Sequence, residues 1–257
     1  MASQLDFAGG TFVDGLVNGA DETIRVVDSA AVESPRRLVI AFVGLDFEAR
    51  IAAAPGVLVV CRTAGSELET VADSAVRQGY RGMISFGVAG GLASHLRAGD
   101  WVVANSIRDS QTVRATDAVW SRKLLGLIDG AIHAPIAGVD EPVAEPAKKR
   151  ELYKTTGAAV VDMESHVVAR VAAEHNLAVA AVRVVVDPAH RKVPSAALIG
   201  MRPDGRANVA AVLRDLVARP SQLSPLARIA MDAFVARTAM VRVRRRLGPH
   251  FGLLDHA

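Results

Sequence analysis

Cysteine, excess charge of one sign and long apolar runs are all scarce in this sequence of 257 residues. The single cysteine, Cys61, excludes an intrachain disulfide framework and a cysteine-based zinc cluster, and it fits a reducing compartment. No run of about 18 uncharged apolar residues predicts a membrane-spanning helix, and no basic stretch before an apolar core predicts a secretory signal. The net charge of +3 is too small to indicate nucleic-acid binding by itself. We therefore expect a cytoplasmic protein.

Strand-like apolar runs alternate with helical patterns of about 10–15 residues along the chain. This order predicts an α/β fold, namely a single domain with a mixed, largely parallel sheet flanked by helices. The hydrophobic content of 51% suffices for one full core. We expect an N-terminal extension over 1–35 that is disordered or packed on the surface, a domain over 36–220, and a C-terminal helix with a basic tail over 221–257. The predicted strands are 38–43, 57–61, 83–86, 101–106, 134–139 and 178–186, and the predicted helices are 45–54, 66–78, 145–155, 163–175, 204–218 and 224–246.

The pattern around the central predicted helix and the strand after it indicates two candidate acidic residues, Glu164 and Asp187. Apolar residues recur at helical spacing from Met163, and Asn176 can supply the left-handed cap that ends this helix. The strand that follows stops at Asp187, before Pro188, so an acid lies at the carboxyl end of a predicted parallel strand, where open α/β sheets bind ligands. Glu164 opens the helix that precedes this strand. We expect both acids at one edge of the sheet.

Two glycine turns also follow predicted strands. The run Gly87–Gly91 lets backbone approach a ligand closely, although a plain tight turn explains it equally well. It lacks the lysine of a Walker A loop and the spacing of a dinucleotide fingerprint. The other glycine turn, the first along the chain, lies at Gly44. Glu48 follows it and is either a surface acid of a helix or a second site carboxylate. Glu164 can simply favour a helix N-terminus, and Asp187 can cap a turn. Four segments, namely the two glycine turns and the segments that carry Glu164 and Asp187, are expected to end at the same edge of the sheet. This common edge favours a ligand-binding site.

Together these segments resemble the nucleoside phosphorylase and nucleosidase superfamily, which includes purine nucleoside phosphorylases and methylthioadenosine/adenosylhomocysteine nucleosidases. The resemblance spans about residues 38–218. It is carried by Gly87–Asp100 (GVAGGLASHLRAGD), Val161–Glu164 (VDME) and Val182–Asp187 (VRVVVD). Within the superfamily, the run from VDMESH to VVVDPA is most similar to the hopanoid-associated phosphorylases, thought to remove adenine from adenosylhopane. The resemblance implies a nucleoside phosphorylase-like fold and cleavage of an N-glycosidic bond.

The resemblance also implies a role for each candidate site residue. Glu164 would hydrogen-bond the ribose hydroxyls, and Met163 would pack against the sugar. Asp187 would be the general acid that protonates the purine at N7 as the base leaves. Burial can keep such a carboxylic acid protonated near neutral pH, and an ionised carboxylate under the sugar favours an oxocarbenium-like transition state. The second glycine turn would line the base and sugar through Val88, Ala89 and Gly90.

Departures from the family pattern bear on the choice between hydrolysis and phosphorolysis. Glu48 and Ser85 stand where phosphorolytic members carry phosphate-binding arginines, whereas hydrolytic members carry a glutamate four residues after the first glycine, as Glu48 follows Gly44. A carboxylate there repels phosphate and can act as a base toward water, so hydrolysis is favoured. Arg62 or Arg114 can still restore a phosphate site, so the phosphate-binding residues stay unassigned. Inorganic phosphate would then be a co-substrate.

Two valines and the C-terminal helix leave further alternatives open. Val88 and Val186 stand where relatives carry polar residues, which suits a lipid-like nucleoside or is a harmless core substitution. The helix over 224–246 either packs on the sheet with a solvated basic end or lies on an anionic membrane surface. Its apolar stripe comprises Leu226, Ile229, Ala233, Phe234, Met240 and Val241, followed by Arg242, Arg244, Arg245 and Arg246.

Cofactors and partners follow mostly by analogy. The histidines show no metal-ligand spacing, so we expect no metal and no organic cofactor. A homo-oligomer is expected from the relatives alone. A nucleoside, lipid-linked or not, is the expected partner. A non-catalytic nucleoside- or lipid-binding protein is the alternative from another class, and joint retention of Glu48, Glu164 and Asp187 counts against it. The histidines considered are His95, His133, His166, His175 and His190.

Overall fold

A mixed sheet with helices on both faces forms the architecture. The computed structural model describes residues 13–15, 24–28, 39–61, 65–194 and 223–253. The strands are β1 (Val13–Gly15), β2 (Ile24–Asp28), β3 (Val39–Val43), β4 (Val57–Cys61), β5 (Gly82–Gly91), β6 (Trp101–Arg108), β7 (Val113–Ala115), β8 (Ile132–Gly138), β9 (Val160–Asp162) and β10 (Ala178–Asp187). The helices are α1 (Asp46–Ala52), α2 (Gly65–Arg77), α3 (Ala118–Leu127), α4 (Pro146–Thr156), α5 (Ser165–Glu174) and α6 (Leu223–Arg246).

The sheet order brings the candidate segments to one edge. Along the sheet the strands run β1-β2-β4-β3-β5-β10-β6-β8-β9, and β7 pairs with β6. The central pairings β4–β3, β3–β5 and β5–β10 are parallel, while β6 pairs antiparallel with β10. The last residues of β5 also pair with β9. The carboxyl ends of β3, β5 and β10 therefore lie side by side, with the end of β9 beside them.

Continuous apolar runs make the central strands buried on both faces, as parallel sheets require. All five residues of β3 are buried, and they alternate between two core clusters. One cluster packs under α2 and α5, with Val71 and Val168 as members. The other packs under α1, α3 and α6, with Trp120 and Met240 as members. This three-layer arrangement confirms the predicted α/β fold.

Most predicted elements are present, with differences at their ends. The central helix begins at Ser165 rather than Met163, and Asn176 has a φ of 53°, which confirms the left-handed cap. Strand β5 continues through the whole second glycine turn. The short strands β7 and β9 and the ten-residue helix α3 were not predicted. Within the expected N-terminal extension, β1 and β2 add to the sheet, since β2 pairs antiparallel with β4. The predicted helix over 204–218 lies outside the described residues.

Helix α6 differs from the predicted stripe. Its second half packs into the core through Ala236, Met240 and Val243, but Phe234 is 66% exposed. The predicted arginine cluster is wrong for one member, because Arg244 is buried and donates to the Ala52 carbonyl at 3.1 Å. Burial lowers the pKa of Arg244 to about 10. Within the described part of the chain, no helix is both long and apolar enough to cross a membrane.

Candidate active site

One cavity of about 260 Å³ lies where the four candidate segments end. This is close to the lower end of the roughly 300–1,000 Å³ typical of small-molecule sites. Glycine turns after β3, the end of β5, the segment after β9 and the end of β10 form its walls. All of the residues predicted for the site line it, namely Glu48, Val88, Ala89, Gly90, Met163, Glu164 and Asp187.

Glu48 lies at the start of α1 and is 1% exposed. Its Oε2 accepts hydrogen bonds from the backbone N–H groups of Gly44 at 2.8 Å and Leu45 at 2.9 Å, and its Oε1 accepts one from Val88 at 2.7 Å. Burial raises the pKa of Glu48 to about 7, against the opposing effects of Arg183 and the backbone donors. Glu48 is therefore a buried carboxylate that lines the cavity and not a surface acid of the helix. Its pKa suits a base that works near neutral pH.

Arg183 is the buried cation beneath the cavity, and we did not predict a role for it. Its Nε lies 2.6 Å from Asp162 Oδ2, and its Nη2 lies 3.1 Å from Glu164 Oε2 and 2.5 Å from Ser85 Oγ. Burial opposes the charge of Arg183, but Asp162, Glu164 and Glu48 together raise its pKa. Arginine is almost never buried unless it is paired. The isolated Arg183 within an apolar strand was the signal that could have revealed it.

Asp162 holds the start of α5 and thereby orients the ribose-binding candidate. Its Oδ1 accepts from the backbone N–H of Ser165 at 3.0 Å and of Glu164 at 3.3 Å, as a helix-capping acid does. Its Oδ2 accepts from the Ser165 hydroxyl. Asp162 thus fixes the backbone of Glu164, and the ion pair with Arg183 fixes its side chain. Met163, half-buried, lines the cavity beside it.

Gly44 is required by the close approach of Glu164. A Cβ added at residue 44 would lie 2.5 Å from Glu164 Oε1, so any other side chain would displace the carboxylate. Gly87 is similar, because a Cβ there would lie 2.6 Å from Glu48 Oε1 and from Arg183 Nη1. The absence of a side chain at these two glycines therefore leaves room for charged side chains of the protein itself, and not only for a ligand.

Asp187 ends β10 and lines the same cavity as Glu48. Its Oδ2 lies 2.5 Å from the Nζ atom of Lys149, which comes from α4 and is fully buried. Burial raises the pKa of Asp187, while the charge and hydrogen bond of Lys149 lower it. Lys149 was also missed by sequence reasoning, because it lies within the polar run Lys148-Lys149-Arg150 and nothing in that run distinguishes it.

The charged side chains that line the cavity are all carboxylates. They are Glu48, Asp162, Glu164 and Asp187, and no lysine, arginine or histidine is among the described lining residues. Arg114, considered for a phosphate site, does not line the cavity, and its Nη1 lies 3.0 Å from Asp109 Oδ2. Arg62 lies outside the described residues. Over the described ranges, no three His, Cys, Asp or Glu side chains are grouped so as to hold a metal ion.

The remaining walls of the cavity are apolar. Two wall residues come from α6, although this helix lies far along the chain from the other segments. Besides Val88, Ala89 and Met163, the apolar lining residues are Leu45, Phe47, Val139, Pro142, Val143, Ala144, Val161, Val186, Val193, Ile229 and Ala233. The apolar part of the lining therefore includes residues of α6.

Several solved nucleosidases share this fold. Futalosine hydrolase of Helicobacter pylori superposes with a TM-score of 0.57 at 15% identity, covering 82% of this chain and 96% of that one. The 5′-methylthioadenosine/S-adenosylhomocysteine nucleosidase of Helicobacter pylori, with butyl-thio-DADMe-Immucillin-A, gives 0.55 at 14% identity, covering 82% and 98%. The 5′-methylthioadenosine/S-adenosylhomocysteine nucleosidase of Campylobacter jejuni superposes with a TM-score of 0.54 at 14% identity, covering 81% of this chain and 100% of that one. No curated protein sequence matches the chain. These likenesses show that the chain shares the fold of these nucleosidases.

The family assignment rests on the sequence as well. The model of the phosphorylase superfamily matches residues 49–218, which is more than half of the 257 residues. The chain belongs to the phosphorylase superfamily. It is therefore an enzyme of the class that cleaves the N-glycosidic bond of nucleosides.

Proposed function

We propose that the protein hydrolyses the N-glycosidic bond of an adenosine-like nucleoside and releases adenine. The observation that carries this proposal is the convergence of Glu48, Glu164 and Asp187 on one cavity whose described lining holds carboxylates but no cationic side chain. Phosphate needs cationic or backbone donors, and Arg183 is already engaged by Asp162 and Glu164. Water needs only a base, and Glu48 has a pKa of about 7.

In the proposed mechanism, the ionised Glu48 removes a proton from a water molecule whose oxygen attacks C1′ of the ribose. The C1′–N9 bond breaks, and its electron pair goes to the purine. Asp187, protonated at the start, transfers its proton to N7, so the base leaves neutral. Glu164 hydrogen-bonds the ribose hydroxyls and stabilises the positive charge that develops on the sugar. Met163 packs against the sugar face. The products are adenine and a free ribose derivative.

Adenine release from adenosine, with and without inorganic phosphate, tests this reaction. We expect release that phosphate does not change, free ribose as product, and a loss of at least about 100-fold in Asp187→Asn and Glu48→Gln. Glu151→Gln on the exposed face of α4 is the matched control and should keep wild-type activity. Release only with phosphate, yielding ribose 1-phosphate, would overturn hydrolysis. No release from wild type with any nucleoside would favour a non-catalytic binding protein.

We further propose that the substrate carries an apolar 5′ substituent, with adenosylhopane as the favoured substrate. The supporting observation is the apolar wall toward α6, formed in part by Ile229 and Ala233. Removing apolar surface from water contributes about 25 cal/mol per Å², so kcat/KM should rise along a series of 5′-alkylthioadenosines of increasing length. Ile229→Asp should abolish this rise while leaving adenosine hydrolysis within about twofold. A flat series in the wild type would argue against a lipid-linked nucleoside.

Membrane contact through α6 is a related proposal. Leu223, Met231 and Phe234 are 63%, 63% and 66% exposed on the helix that also lines the cavity. Exposed apolar side chains next to arginines are typical of helices that lie in an anionic membrane surface. The double variant Met231→Gln/Phe234→Gln should lose binding to anionic liposomes, whereas Val113→Gln, at an equally exposed valine on β7, should not.

The family analogy also predicts a homo-oligomer, and the exposed face of α6 is one place where a second copy can pack. Light scattering of the same two variants separates the alternatives. Liposome binding lost at constant mass supports the membrane surface. A fall to monomer mass in Met231→Gln/Phe234→Gln, without liposome binding in the wild type, supports a subunit interface.

A further inference from the structure

Lys149 is a buried lysine on a helix whose other residues are exposed or half-buried. It is the buried residue of α4, and its side chain is 0% exposed. Burying an ammonium group costs several kcal/mol unless it is paired and hydrogen-bonded. Its Nζ atom has four acceptors within reach, namely Asp187 Oδ2 at 2.5 Å and the carbonyls of Asp187 at 3.0 Å, Pro188 at 3.3 Å and Arg191 at 3.3 Å. Four acceptors suit an ammonium, which has three donors, better than a neutral amine.

These contacts fix both the carboxyl group and the segment after it. One of the three carbonyls belongs to the last residue of β10, and the other two belong to the turn that follows it. This turn is closed by the Arg191 N–H, which donates to the Pro188 carbonyl at 2.8 Å. Oδ2 of Asp187 is held by Lys149, whereas no other residue of the described ranges donates to Oδ1; the backbone N–H of Asp187 itself also donates to this carboxyl group. Asp187 also lines the cavity. One carboxyl oxygen is therefore anchored, and the other is left for a ligand.

We propose that Lys149 is a positioning residue for Asp187, holding Oδ2 against the turn after β10 so that Oδ1 faces the leaving base. This proposal deepens the proposed hydrolysis and rests on it. When Asp187 transfers the proton from Oδ1 to N7, the O–H bond breaks, the N–H bond forms, and the carboxylate becomes anionic. Lys149 keeps its own proton throughout. Its ammonium stabilises the new anion at short range, in a buried site where charges interact strongly.

The surroundings of Asp187 give the expected direction of a pH effect. Two charged groups face it from packed elements: Lys149 from α4 and Asp232 from α6. Asp232 raises the pKa of Asp187, and it is itself paired with Arg191 at 2.9 Å. Burial raises the pKa further, and Lys149 opposes both effects. Removing Lys149 should therefore raise the pKa of Asp187 and make it a weaker acid.

The test compares Lys149→Met and Lys149→Arg with Lys148→Met, a control at an exposed neighbour on the same helix. Adenosine is the substrate, and kcat and KM are measured from pH 5 to pH 10. Activity that needs protonated Asp187 falls as pH rises through its pKa, so this fall should move to higher pH in Lys149→Met. We expect kcat to drop about tenfold or more while KM changes less than about twofold. Lys149→Arg should recover part of kcat, and Lys148→Met should resemble the wild type.

A uniform loss of kcat at every pH, with the fall at its wild-type position, would overturn the proposal, as would wild-type kcat in Lys149→Met. If Lys149→Met does not fold, as judged by thermal unfolding, Lys149→Gln takes its place. The carboxyl ¹³C resonance of Asp187, titrated by NMR, provides a readout that needs no turnover. Wild-type protein that releases no adenine would refute the proposed hydrolysis alone. An identical Asp187 titration in wild type and variant would refute the role of Lys149.

Discussion

Replacement of Glu48 by glutamine should change how the stability of the protein depends on pH. Burial raises the pKa of Glu48 from 4.5 to about 7 in the folded protein. In the unfolded chain the group titrates near its ordinary value, so between these pH values the folded state binds a proton that the unfolded state has lost. The free energy of unfolding therefore falls as pH rises from about 4.5 and levels off above about 7. In Glu48→Gln this contribution is absent.

The size of the effect follows from the two pKa values. Each tenfold change in proton affinity corresponds to about 1.4 kcal/mol, so the wild type should lose about 3 kcal/mol relative to Glu48→Gln between pH 4.5 and pH 8. The absolute stability of the variant will also depend on the amide, whose NH₂ group cannot accept from the backbone donors of Gly44, Leu45 or Val88. That mismatch shifts the whole curve but does not create a pH dependence.

Urea unfolding at several pH values measures the difference directly, because other titrating groups cancel between the two proteins. Glu151→Gln, at an exposed position, should follow the wild-type curve. Parallel curves for wild type and Glu48→Gln would refute the reasoning, since they would mean that Glu48 has the same proton affinity in the folded and unfolded chains. A steeper fall in the variant would contradict the sign.

Three further substitutions test other parts of the structure. Gly44→Ala should raise KM for adenosine about tenfold with little change in stability, because the new Cβ meets Glu164; Gly126→Ala, whose Cβ meets no atom within 4 Å, is the control. Arg183→Met should cost about 3 kcal/mol or more in urea unfolding, because it leaves buried carboxylates without their cation; a loss below 1 kcal/mol would contradict the ion-pair assignment. Trp120→Phe should cost about 1–2 kcal/mol through the lost 2.8 Å hydrogen bond to the Phe251 carbonyl, measured by thermal unfolding; unchanged stability would contradict that bond.

The sequence was informative where a residue type and its position at a strand end agree. Asp187 follows a long apolar run, and a parallel strand of that kind ends at the ligand-binding edge of the sheet. Glu48 and Glu164 were assigned roles by resemblance, and the fold brings both to the same cavity as Asp187. Strand direction accounts for Glu48 and Asp187, because β3 and β10 run parallel to β5 and end at the same edge. It does not account for Glu164, because β9 pairs antiparallel with β5.

The cations of the site were harder to predict, since their roles depend on contacts between distant elements. Lys149 is separated from Asp187 by 38 residues, and its exposed neighbour Lys148 looks the same in the sequence. Arg183 forms its ion pairs only after β9, β10 and α5 have assembled. Short elements such as β9 also escape prediction, because three residues show no measurable periodicity.

The two catalytic candidates lie in different environments, and this predicts the shape of the pH profile. Glu48 accepts three backbone hydrogen bonds, which favour its ionised form against burial, and must be ionised to activate water. Asp187 must be protonated to donate to the base, and burial raises its pKa. The profile of kcat/KM for adenosine should therefore be bell-shaped, with a rising limb through about pH 7 as Glu48 ionises and a falling limb as Asp187 loses its proton.

Each limb should belong to one residue. Residual turnover by Glu48→Gln should lack the rise, whereas residual turnover by Asp187→Asn should lack the fall. Macroscopic pKa values belong to the coupled pair, so the assignment comes from the limb that each variant removes, and not from the fitted values. A rising limb that persists in Glu48→Gln would exclude Glu48 as the base, and the water would then have to be activated by Glu164 or by the substrate itself.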